Sequence, residues 1–308
     1  MKLLLTGSAG RIGQAIRAAL EPSHSLIGLD RLVGLHTDCV ADISDRAAVR
    51  RALVDVDAII HCAALHAPHV GLIDDAEFHR INVLATRQLG ELALDAGVTH
   101  LIHTSTTALY GHASTPDDAA AWIDEDTVPQ ARTIYHRSKL DAEAELARLS
   151  GQYGLRVTVL RMSRCFPEAA NLMACYRLHR GIDARDVASA HACALARRGD
   201  LYARYVISGD PPFESHDRVD LKHNAAAVLH RRAPQLVEAF ARRGWPLPTT
   251  IDRVYSPARA MRDLDWRPRF GPEEVLRQYD AGSPEVLAPE QERPCVATDR
   301  PDHDLDRG

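Results

Sequence analysis

The chain has 308 residues, of which 45% are hydrophobic and 26% charged, which is the composition of a globular protein with a sizeable core. Its formal net charge of −5 argues against nucleic acid as the main partner. No apolar run reaches the length of about 18 residues that a membrane-spanning helix needs, and the amino-terminal apolar stretch is too short for a signal peptide. We therefore predict a cytoplasmic protein without a membrane partner.

Cysteine and histidine do not form the spacings of a metal site. The six cysteines are scattered without a C-x-x-C pair, which favours reduced thiols over a disulfide framework or a zinc site. His61, His66 and His69 lie close together, but no carboxylate or thiol accompanies them at ligand spacing. The sequence predicts no metal.

Short apolar runs alternate with helical periodicity through the first two thirds of the chain. We predict strands at 2–6, 25–30, 57–63, 100–106, 156–162 and 203–209. We predict helices at 12–20, 44–54, 74–96, 134–150 and 185–198. Apolar strands separated by helices are typical of a doubly wound parallel α/β sheet of the Rossmann type.

The pattern changes after about residue 210. Helical segments near 220–230, 234–243, 255–264 and 272–279 are joined by turns rich in proline. We therefore predict an NAD(P)-binding Rossmann domain over 1–209 and a smaller, mostly helical substrate lobe over 210–281. The polar, proline-rich residues 282–308 are predicted to form a loosely ordered tail.

A glycine-rich turn joins the first predicted strand to the first predicted helix. In "TGSAGRIG", Gly7, Gly10 and Gly13 lie three positions apart, where the backbone must turn tightly and approach a pyrophosphate. The start of the helix offers unpaired N–H groups to phosphate. We assign Gly7, Gly10, Arg11, Ile12 and Gly13 to a dinucleotide cofactor.

Asp30 ends the second predicted strand, where a carboxylate can accept hydrogen bonds from the adenosine ribose. This position favours NAD and repels the 2′-phosphate of NADP. Arg11 and Arg31 lie nearby and could instead pair with that phosphate. Asp42 and Ile43 are placed to meet the adenine, although "DISD" also has the pattern of a helix cap.

Tyr135 and Lys139 in "YHRSK" are four positions apart at the start of a predicted helix, so their side chains share one face. A neighbouring cation favours the phenolate, and a Tyr whose pKa is lowered can act as acid or base at neutral pH. Such a pair also occurs at chance spacing on helix surfaces, so the neighbouring motifs decide its interpretation.

Six motifs occur together in order: "TGSAGRIG", "DAIIHCAA", "RINVLATRQLGELALDAGVTHLIHTSTTALYG", "YHRSK", "LRMSRCFPE" and "RGIDARDVASAHACAL". In this combination residues 1–280 resemble the extended short-chain dehydrogenase/reductases, also called the NAD-dependent epimerase/dehydratase family. The resemblance implies that Tyr135 exchanges a proton while Lys139 holds the nicotinamide ribose. Thr106, rather than Ser105, matches the residue that hydrogen-bonds the reacting oxygen.

The resemblance also assigns residues around the cofactor and the substrate. Asn82, Cys62, Ala63 and Ala64 match cofactor positions in the family. His66 and Thr107 fall where substrate approaches.

Two departures from the family pattern bear on the reaction. Dehydratases have a Thr-Asp-Glu run where this chain has Thr106, Thr107 and Ala108, so dehydration by the usual route is not expected. The substrate-lobe insertion near 163–184 is shorter than in nucleotide-sugar enzymes. Either the substrate is smaller than a nucleotide sugar, or other parts such as 211–217 and the helical lobe hold it. Arg161 and Arg164 could pair with an anionic substrate, or could form a structural ion pair and a surface charge.

The sequence therefore predicts an NAD(P)-dependent oxidoreductase acting on a hydroxyl or carbonyl of a small polar or sugar-derived substrate. The alternative is a sugar or nucleotide-sugar epimerase that regenerates its bound NAD in each cycle. The resemblance further implies a homodimer through the helices at 74–96 and 134–150.

Overall fold

The computed structural model describes residues 1–197 and 199–289, in which nine strands form two parallel sheets. The strands are β1 (Lys2–Thr6), β2 (Ser25–Asp30), β3 (Cys39–Val40), β4 (Ala58–His61), β5 (His100–Thr106), β6 (Ala121–Ile123), β7 (Arg156–Met162), β8 (Tyr202–Ile207) and β9 (Arg253–Tyr255). Seven of them form the main sheet in the order β3-β2-β1-β4-β5-β7-β8, and β6 pairs with β9. The predicted doubly wound Rossmann sheet is confirmed.

Helices cover both faces of the main sheet and build the carboxyl-terminal part. They are α1 (Arg11–Leu20), α2 (Arg46–Ala52), α3 (Asp75–Phe78), α4 (Ala85–Asp95), α5 (Ile134–Tyr153), α6 (Ala170–Arg177), α7 (Ala184–Ala196), α8 (Arg218–His223), α9 (Ala225–Arg232), α10 (Pro234–Arg243), α11 (Ala258–Asp263) and α12 (Pro272–Asp280). A π-helical segment, His79–Leu84, joins α3 to α4 within the single helix predicted at 74–96. Within 1–197 and 199–289, no helix has the length and hydropathy needed to cross a membrane.

Side chains that alternate along the strands pack into two hydrophobic cores, one on each face of the main sheet. Leu3 and Leu5 of β1 point to the face covered by α1 and α7, and Leu4 points to the face covered by α4 and α5. All three leucines are fully buried. Each contributes about 1.5–3 kcal/mol of transfer free energy on folding, which explains why the central residues of a strand between two helical layers are apolar on both faces.

A third core lies in the carboxyl-terminal lobe, where Val228, Phe240 and Val254 pack against α6. Helix α6 comes from the segment predicted as a substrate-lobe insertion and packs against α12. The strands β6 and β9 were not predicted, because each has only three residues and their partners are far apart in the chain.

Residues 282–289, expected in the loosely ordered tail, return to the protein surface. Val286 is buried, and Leu287 exchanges backbone hydrogen bonds with Ala170 and Glu168 at 3.0 and 2.9 Å. The backbone pairing and the buried valine hold this segment in place. The remainder of the predicted tail, 290–308, lies outside the described residues.

We expect Gly13→Ala to lower the free energy of unfolding by about 1–3 kcal/mol, because the new methyl group overpacks the turn before α1. A Cβ at Gly13 would lie 2.1 Å from the carbonyl oxygen of Gly7. Urea unfolding measures the effect. The matched control is Gly151→Ala in α5, whose Cβ meets nothing within 4 Å. It should raise stability by up to about 1 kcal/mol. Equal stability of Gly13→Ala and the wild type would contradict the expectation.

Candidate active site

A cavity of about 570 Å³ opens at the carboxyl edge of the main sheet. Its walls come from the loops after β1, β4 and β5, including Gly7, Ala63 and Thr106. The chain leaves β1 and β4 toward opposite sides of the sheet, so the two loops diverge and leave a crevice between them. The volume lies within the range of about 300–1,000 Å³ that is usual for small-molecule sites.

Most of the residues predicted from sequence line this one cavity. They are Gly7, Gly10, Arg11, Ile12, Gly13, Asp30, Asp42, Ile43, Cys62, Ala63, Ala64, His66, Thr106, Thr107, Tyr135, Lys139 and Arg164. Asn82 and Arg161 do not line it.

The glycine turn brings backbone to the cavity wall. Gly7 has a φ of 72°, and a Cβ there would lie 2.7 Å from the amide nitrogen of Ala63. Any other residue would be strained and would push β1 and β4 apart. Gly10 caps α1 without a side-chain hydrogen bond to the first turn. The amides that begin α1 therefore meet the cavity without a competing side chain, which suits a phosphate group.

Asp30 fixes the glycine turn to the end of β2. One carboxylate oxygen accepts from the amide of Ala9 and the other from the amide of Leu32, both at 3.0 Å. The carboxylate reaches the cavity wall from this position.

Asp42 and Ile43 line the same end of the cavity. Asp42 accepts from the amide and hydroxyl of Ser44 at 2.8 and 2.7 Å and pairs with Arg80 at 3.3 Å. Burial opposes the ionised form, but the hydrogen bonds from Ser44 and Arg80 hold the pKa of Asp42 below its usual range. Asp42 therefore combines the local capping interaction with a position on the cavity wall.

Arg11 forms an ion pair that sequence reasoning did not find. Its guanidinium, which lines the cavity, contacts the carboxylate of Glu285 in the returning segment 282–289. The arginine side chain is 28% exposed and the glutamate 46%, so the pair lies at the rim. The distance of 274 positions along the chain explains why no local pattern indicates this contact.

The floor of the cavity is a polar network beneath Cys62, Ala63 and Ala64. The Cys62 thiol lies 2.9 Å from the hydroxyl of Thr104, which lies 2.8 Å from His191 Nε2. Burial raises the pKa of Cys62 to about 11 and lowers that of His191 to about 4. Both groups are therefore neutral at physiological pH.

Thr106, Tyr135 and Lys139 all line the cavity. Thr106 ends β5, and Tyr135 and Lys139 begin α5 one turn apart. The neighbouring Ser105 donates its buried hydroxyl to Glu143 at 2.6 Å. Within the described residues, the hydrogen bond that Thr106 accepts is local, from the amide of Ala108 at 3.1 Å, and its hydroxyl can still donate a proton.

Lys139 is buried, with 2% of its surface exposed, and is held from below. Its ammonium donates to the carbonyl of Thr104 at 2.7 Å and lies 3.0 Å from Nε2 of His103. An ammonium has no acceptor, so His103 must present an unprotonated Nε2. Burial, followed by the charge of Lys139, lowers the pKa of His103 well below its usual range. Burial lowers the pKa of Lys139 to about 8.

Asn82 supports the cavity wall instead of lining it. In the π-helical segment, its amide accepts from the nitrogen of Leu65 at 2.8 Å and donates to the carbonyl of Leu65 and the hydroxyl of Ser138, both at 2.9 Å. The contacts tie the loop after β4 to α5. The sequence predicted a cofactor contact for Asn82. In the structure its side chain instead bonds to protein groups that support the cavity wall.

The two arginines predicted to meet an anionic substrate differ in position. Arg161 is 1% exposed and forms an ion pair with Glu143 at 2.6 Å, with a further hydrogen bond to the hydroxyl of Tyr110 at 3.0 Å. It lies behind the cavity wall, so its assignment to substrate is wrong and the structural ion pair is correct. Arg164 lines the cavity and pairs with Glu168 at 2.6 Å.

Three further arginines, Arg132, Arg180 and Arg253, line the cavity and were missed. They come from the loop before α5, the turn after α6, and β9. No spacing in the sequence connects these three segments, and only the folded chain brings them to one wall.

A model of the NAD dependent epimerase/dehydratase family matches residues 3–171, more than half of the chain. Uronate dehydrogenase of Pseudomonas syringae pv. tomato is 28% identical over 180 residues, covering 55% of this chain and 62% of that protein. The NAD-dependent glucose-6-phosphate dehydrogenase of Haloferax volcanii is 31% identical over 163 residues, covering 50% of this chain and 57% of that protein. The chain thus spans little more than half the length of these curated relatives.

Solved structures are similar over nearly the whole chain. A short-chain dehydrogenase/reductase superfamily protein from Agrobacterium tumefaciens with bound NAD has a TM-score of 0.70 at 19% identity, over 91% of this chain and 96% of its own. UDP-glucose 4-epimerase from Thermotoga maritima has a TM-score of 0.67 at 19% identity, over 92% and 99%. At this identity the likeness shows a shared fold.

Arg161→Met should lower the free energy of unfolding by about 3–5 kcal/mol, because it leaves Glu143 buried without its cation. Guanidinium unfolding monitored by circular dichroism measures the change. The control is Arg164→Met, whose pair with Glu168 is partly exposed and should cost at most about 1 kcal/mol. If the two variants were equally stable, the structural assignment of Arg161 would fail.

Proposed function

Because the chain belongs to the NAD dependent epimerase/dehydratase family, we propose that it is an NAD(P)-dependent oxidoreductase acting on a hydroxyl or carbonyl group of a small, polar, sugar-derived substrate. The observation that carries this proposal is that one cavity contains both the glycine turn and the trio of Thr106, Tyr135 and Lys139. The relatives named as uronate and glucose-6-phosphate dehydrogenases support it.

The residues at one end of the cavity fit a dinucleotide. Gly7 and Gly10, with Arg11, Ile12 and Gly13, would meet the pyrophosphate, since all five line the cavity and no side chain caps the first amides of α1. Cys62, Ala63 and Ala64 would lie beneath the nicotinamide half. When bound, the nicotinamide accepts or supplies a hydride.

The contacts at the ribose end favour NAD over NADP. Asp30 would accept from the ribose hydroxyls and repel a 2′-phosphate, and Asp42 and Ile43 would meet the adenine. Glu285 takes up the charge of Arg11, one of two arginines that could otherwise bind that phosphate. Arg31 remains at the exposed rim of the cavity.

Proton transfer would be the task of Tyr135. During oxidation its phenolate accepts the proton of the substrate hydroxyl, and during reduction its hydroxyl returns a proton to the carbonyl oxygen. The ammonium of Lys139, fixed by Thr104 and His103, stabilises the phenolate through its positive charge. Thr106 donates a hydrogen bond to the reacting oxygen.

The cavity does not favour elimination of water. Among the described residues, the only carboxylates on its wall are Asp30 and Asp42, both at the adenosine end. Thr107 and Ala108 follow Thr106 on the wall. No carboxylic acid of the described chain stands beside Tyr135 to serve as the acid or base of a dehydratase.

An epimerase is the second candidate, and the contact between Glu285 and Arg11 favours it. This ion pair holds segment 282–289 against the glycine turn, where it would slow the release of a bound dinucleotide. An epimerase needs such retention because its NAD is regenerated in each cycle. The short insertion around α6 favours the oxidoreductase, since it leaves little chain to clamp a nucleotide sugar.

We further propose the assembly and domain division expected from the sequence. Residues 1–209 would bind the cofactor, and 210–281, with the insertion near 163–184, would bind the substrate. A homodimer would form through the outer faces of α3–α4 and α5, where Leu84 is 42% exposed. Light scattering on the purified protein measures its molecular mass in solution, which should be that of a dimer.

Tyr135→Phe should reduce turnover by about 100-fold or more, because it removes the titrating hydroxyl and keeps the ring. Its dissociation constant for NAD should change little. Steady-state kinetics and a fluorescence titration with NADH measure both quantities. The control is Tyr153→Phe, an exposed tyrosine at the other end of α5, which should behave as the wild type. Activity retained by Tyr135→Phe would remove the proton-transfer assignment.

The nucleotide carried through purification distinguishes the two candidates. Protein purified without added cofactor is denatured, and the released nucleotide is identified by mass and absorbance. We expect an empty site that binds NADH reversibly and more tightly than NADPH, as an oxidoreductase requires. Stoichiometric NAD in the denatured sample would favour the epimerase instead.

A further inference from the structure

The loop after β4 presents two histidines, His66 and His69, side by side on the wall of the cavity. Their ring centres lie 4.6 Å apart, and the ring planes are inclined by 62°. The backbone amide of His66 donates to Nδ1 of His69 at 3.0 Å across the helical turn Ala67–His69. The imidazole of His69 therefore takes the place of the Glu or Gln that usually bonds back to the first amide of a helical turn.

This hydrogen bond fixes the protonation state of His69. A ring nitrogen can accept from an amide only while it carries no proton, so the proton of the neutral ring must be on Nε2. A second proton on Nδ1 would face the N–H of His66, and the hydrogen bond would be lost. The closed turn is thus compatible with the neutral ring of His69 and incompatible with its cation.

The charges around the two rings also oppose protonation. Partial burial, followed by the charges of His69 and Lys139, lowers the pKa of His66 below its usual range. Partial burial, followed by the charge of Arg31, lowers the pKa of His69 in the same way. Glu77 of α3 also lies in range of Arg31, but its carboxylate already forms an ion pair at 2.7 Å. Both rings are therefore neutral at pH 7.

The turn lies between two fixed points. Before it, the amide and carbonyl of Leu65 bond to the side chain of Asn82 at 2.8 and 2.9 Å. After it, Val70 and Ile73 pack against the hydrophobic core. Within the described chain, the backbone hydrogen bonds of residues 66–73 stay inside that segment. The turn can therefore change its conformation without breaking the hydrogen bonds of the sheet or of α5.

We propose that the turn 66–69 is a pH-sensitive part of the cavity wall, which is closed while His66 and His69 are neutral and opens when they take up protons. The inference rests on the proposed function, since it describes the regulation of the site in which the oxidoreductase would work. A charged His69 loses the amide of His66 and is repelled by Arg31, while a charged His66 is repelled by Lys139.

The direction of the pH dependence follows from the lowered pKa values. A histidine whose pKa is lower in the closed turn than its ordinary value of about 6.5 stabilises that turn above the ordinary value. This stabilisation is lost as the pH falls through the lowered value. We therefore expect the turn to open in acid and to stay closed at neutral and alkaline pH.

Hydrogen exchange followed by mass spectrometry measures the turn on the wild-type protein without substrate. After correction for the intrinsic exchange rate, the protection of a peptide covering 65–70 should fall about 10-fold between about pH 7.5 and about pH 5, because a capping hydrogen bond is lost. Constant protection over this range would overturn the proposal.

Two substitutions of one residue test the cause. His69→Gln keeps an acceptor for the amide of His66 but cannot be protonated in this range, so its protection should stay high at both pH values. His69→Leu removes the acceptor and should be poorly protected at both. The control is His230→Gln on α9, an exposed histidine away from the cavity wall, which should keep the wild-type pH dependence. A fall in His69→Gln equal to that of the wild type would overturn the proposal.

Saturating NADH separates this inference from the proposed function. A dinucleotide packed in the cavity should favour the closed turn and move the fall in protection to lower pH. If NADH does not bind, the cofactor assignment of the proposed function fails, while the exchange of the free protein still tests the turn. If NADH binds and the fall does not move to lower pH, the turn does not regulate the site and the proposal is overturned.

Discussion

The close approach of β1 to β4 is the constraint on which the rest of the site depends. The two strands are neighbours in the sheet, and the turn after β1 passes so near the loop after β4 that only glycine fits at position 7. From this point the connections run to opposite sides of the sheet. The crevice between them is a consequence of strand order, and the side chains that line it are fixed by apolar strands buried on both faces.

Within the part of the chain that the structure describes, the buried ammonium of Lys139 in this crevice has no carboxylate in direct contact. Lys139 is held by a carbonyl and by a neutral imidazole, and its neighbours Cys62 and His61 are neutral, since burial raises the pKa of the thiol and lowers that of the imidazole to about 3. The groups in direct contact with the ammonium therefore do not cancel its charge, although Glu143 lies near enough to favour it. A positive charge one helical turn from Tyr135 is what the proposed acid–base role of that residue requires.

The parts of this protein that sequence could predict are those encoded by local pattern. The bounds of β1, β2, β5 and β7 agree with the predicted ones, because buried strands between turns have a continuous apolar signature. The glycine turn and the Tyr135–Lys139 pair are short motifs, and the structure brings both to the wall of one cavity. The chemistry expected of them stays a prediction. The contacts of Asn82 and Arg161 could not be predicted in this way, because the partners of these buried polar side chains lie far away in the sequence.

The arginines of the cavity wall and segment 282–289 show most clearly what could not be predicted from the sequence. Arg132, Arg180 and Arg253 belong to three segments with no common periodicity. Contacts of His179 with Arg253 and Tyr255 bring the turn after α6 to β9, and no local pattern predicts them. The three-residue strands β6 and β9 are too short to be recognised, yet they position this end of the cavity.

The residues that line the cavity are spread along the whole sequence, so they are synthesised at different times. Gly7, Asp30 and Ala63 belong to the first strands to leave the ribosome, while Arg253 and Glu285 emerge near the end of synthesis. During translation, the glycine turn and Asp30 are therefore synthesised well before Arg253 and Glu285. The cavity wall is complete only when nearly all of the described chain has been synthesised.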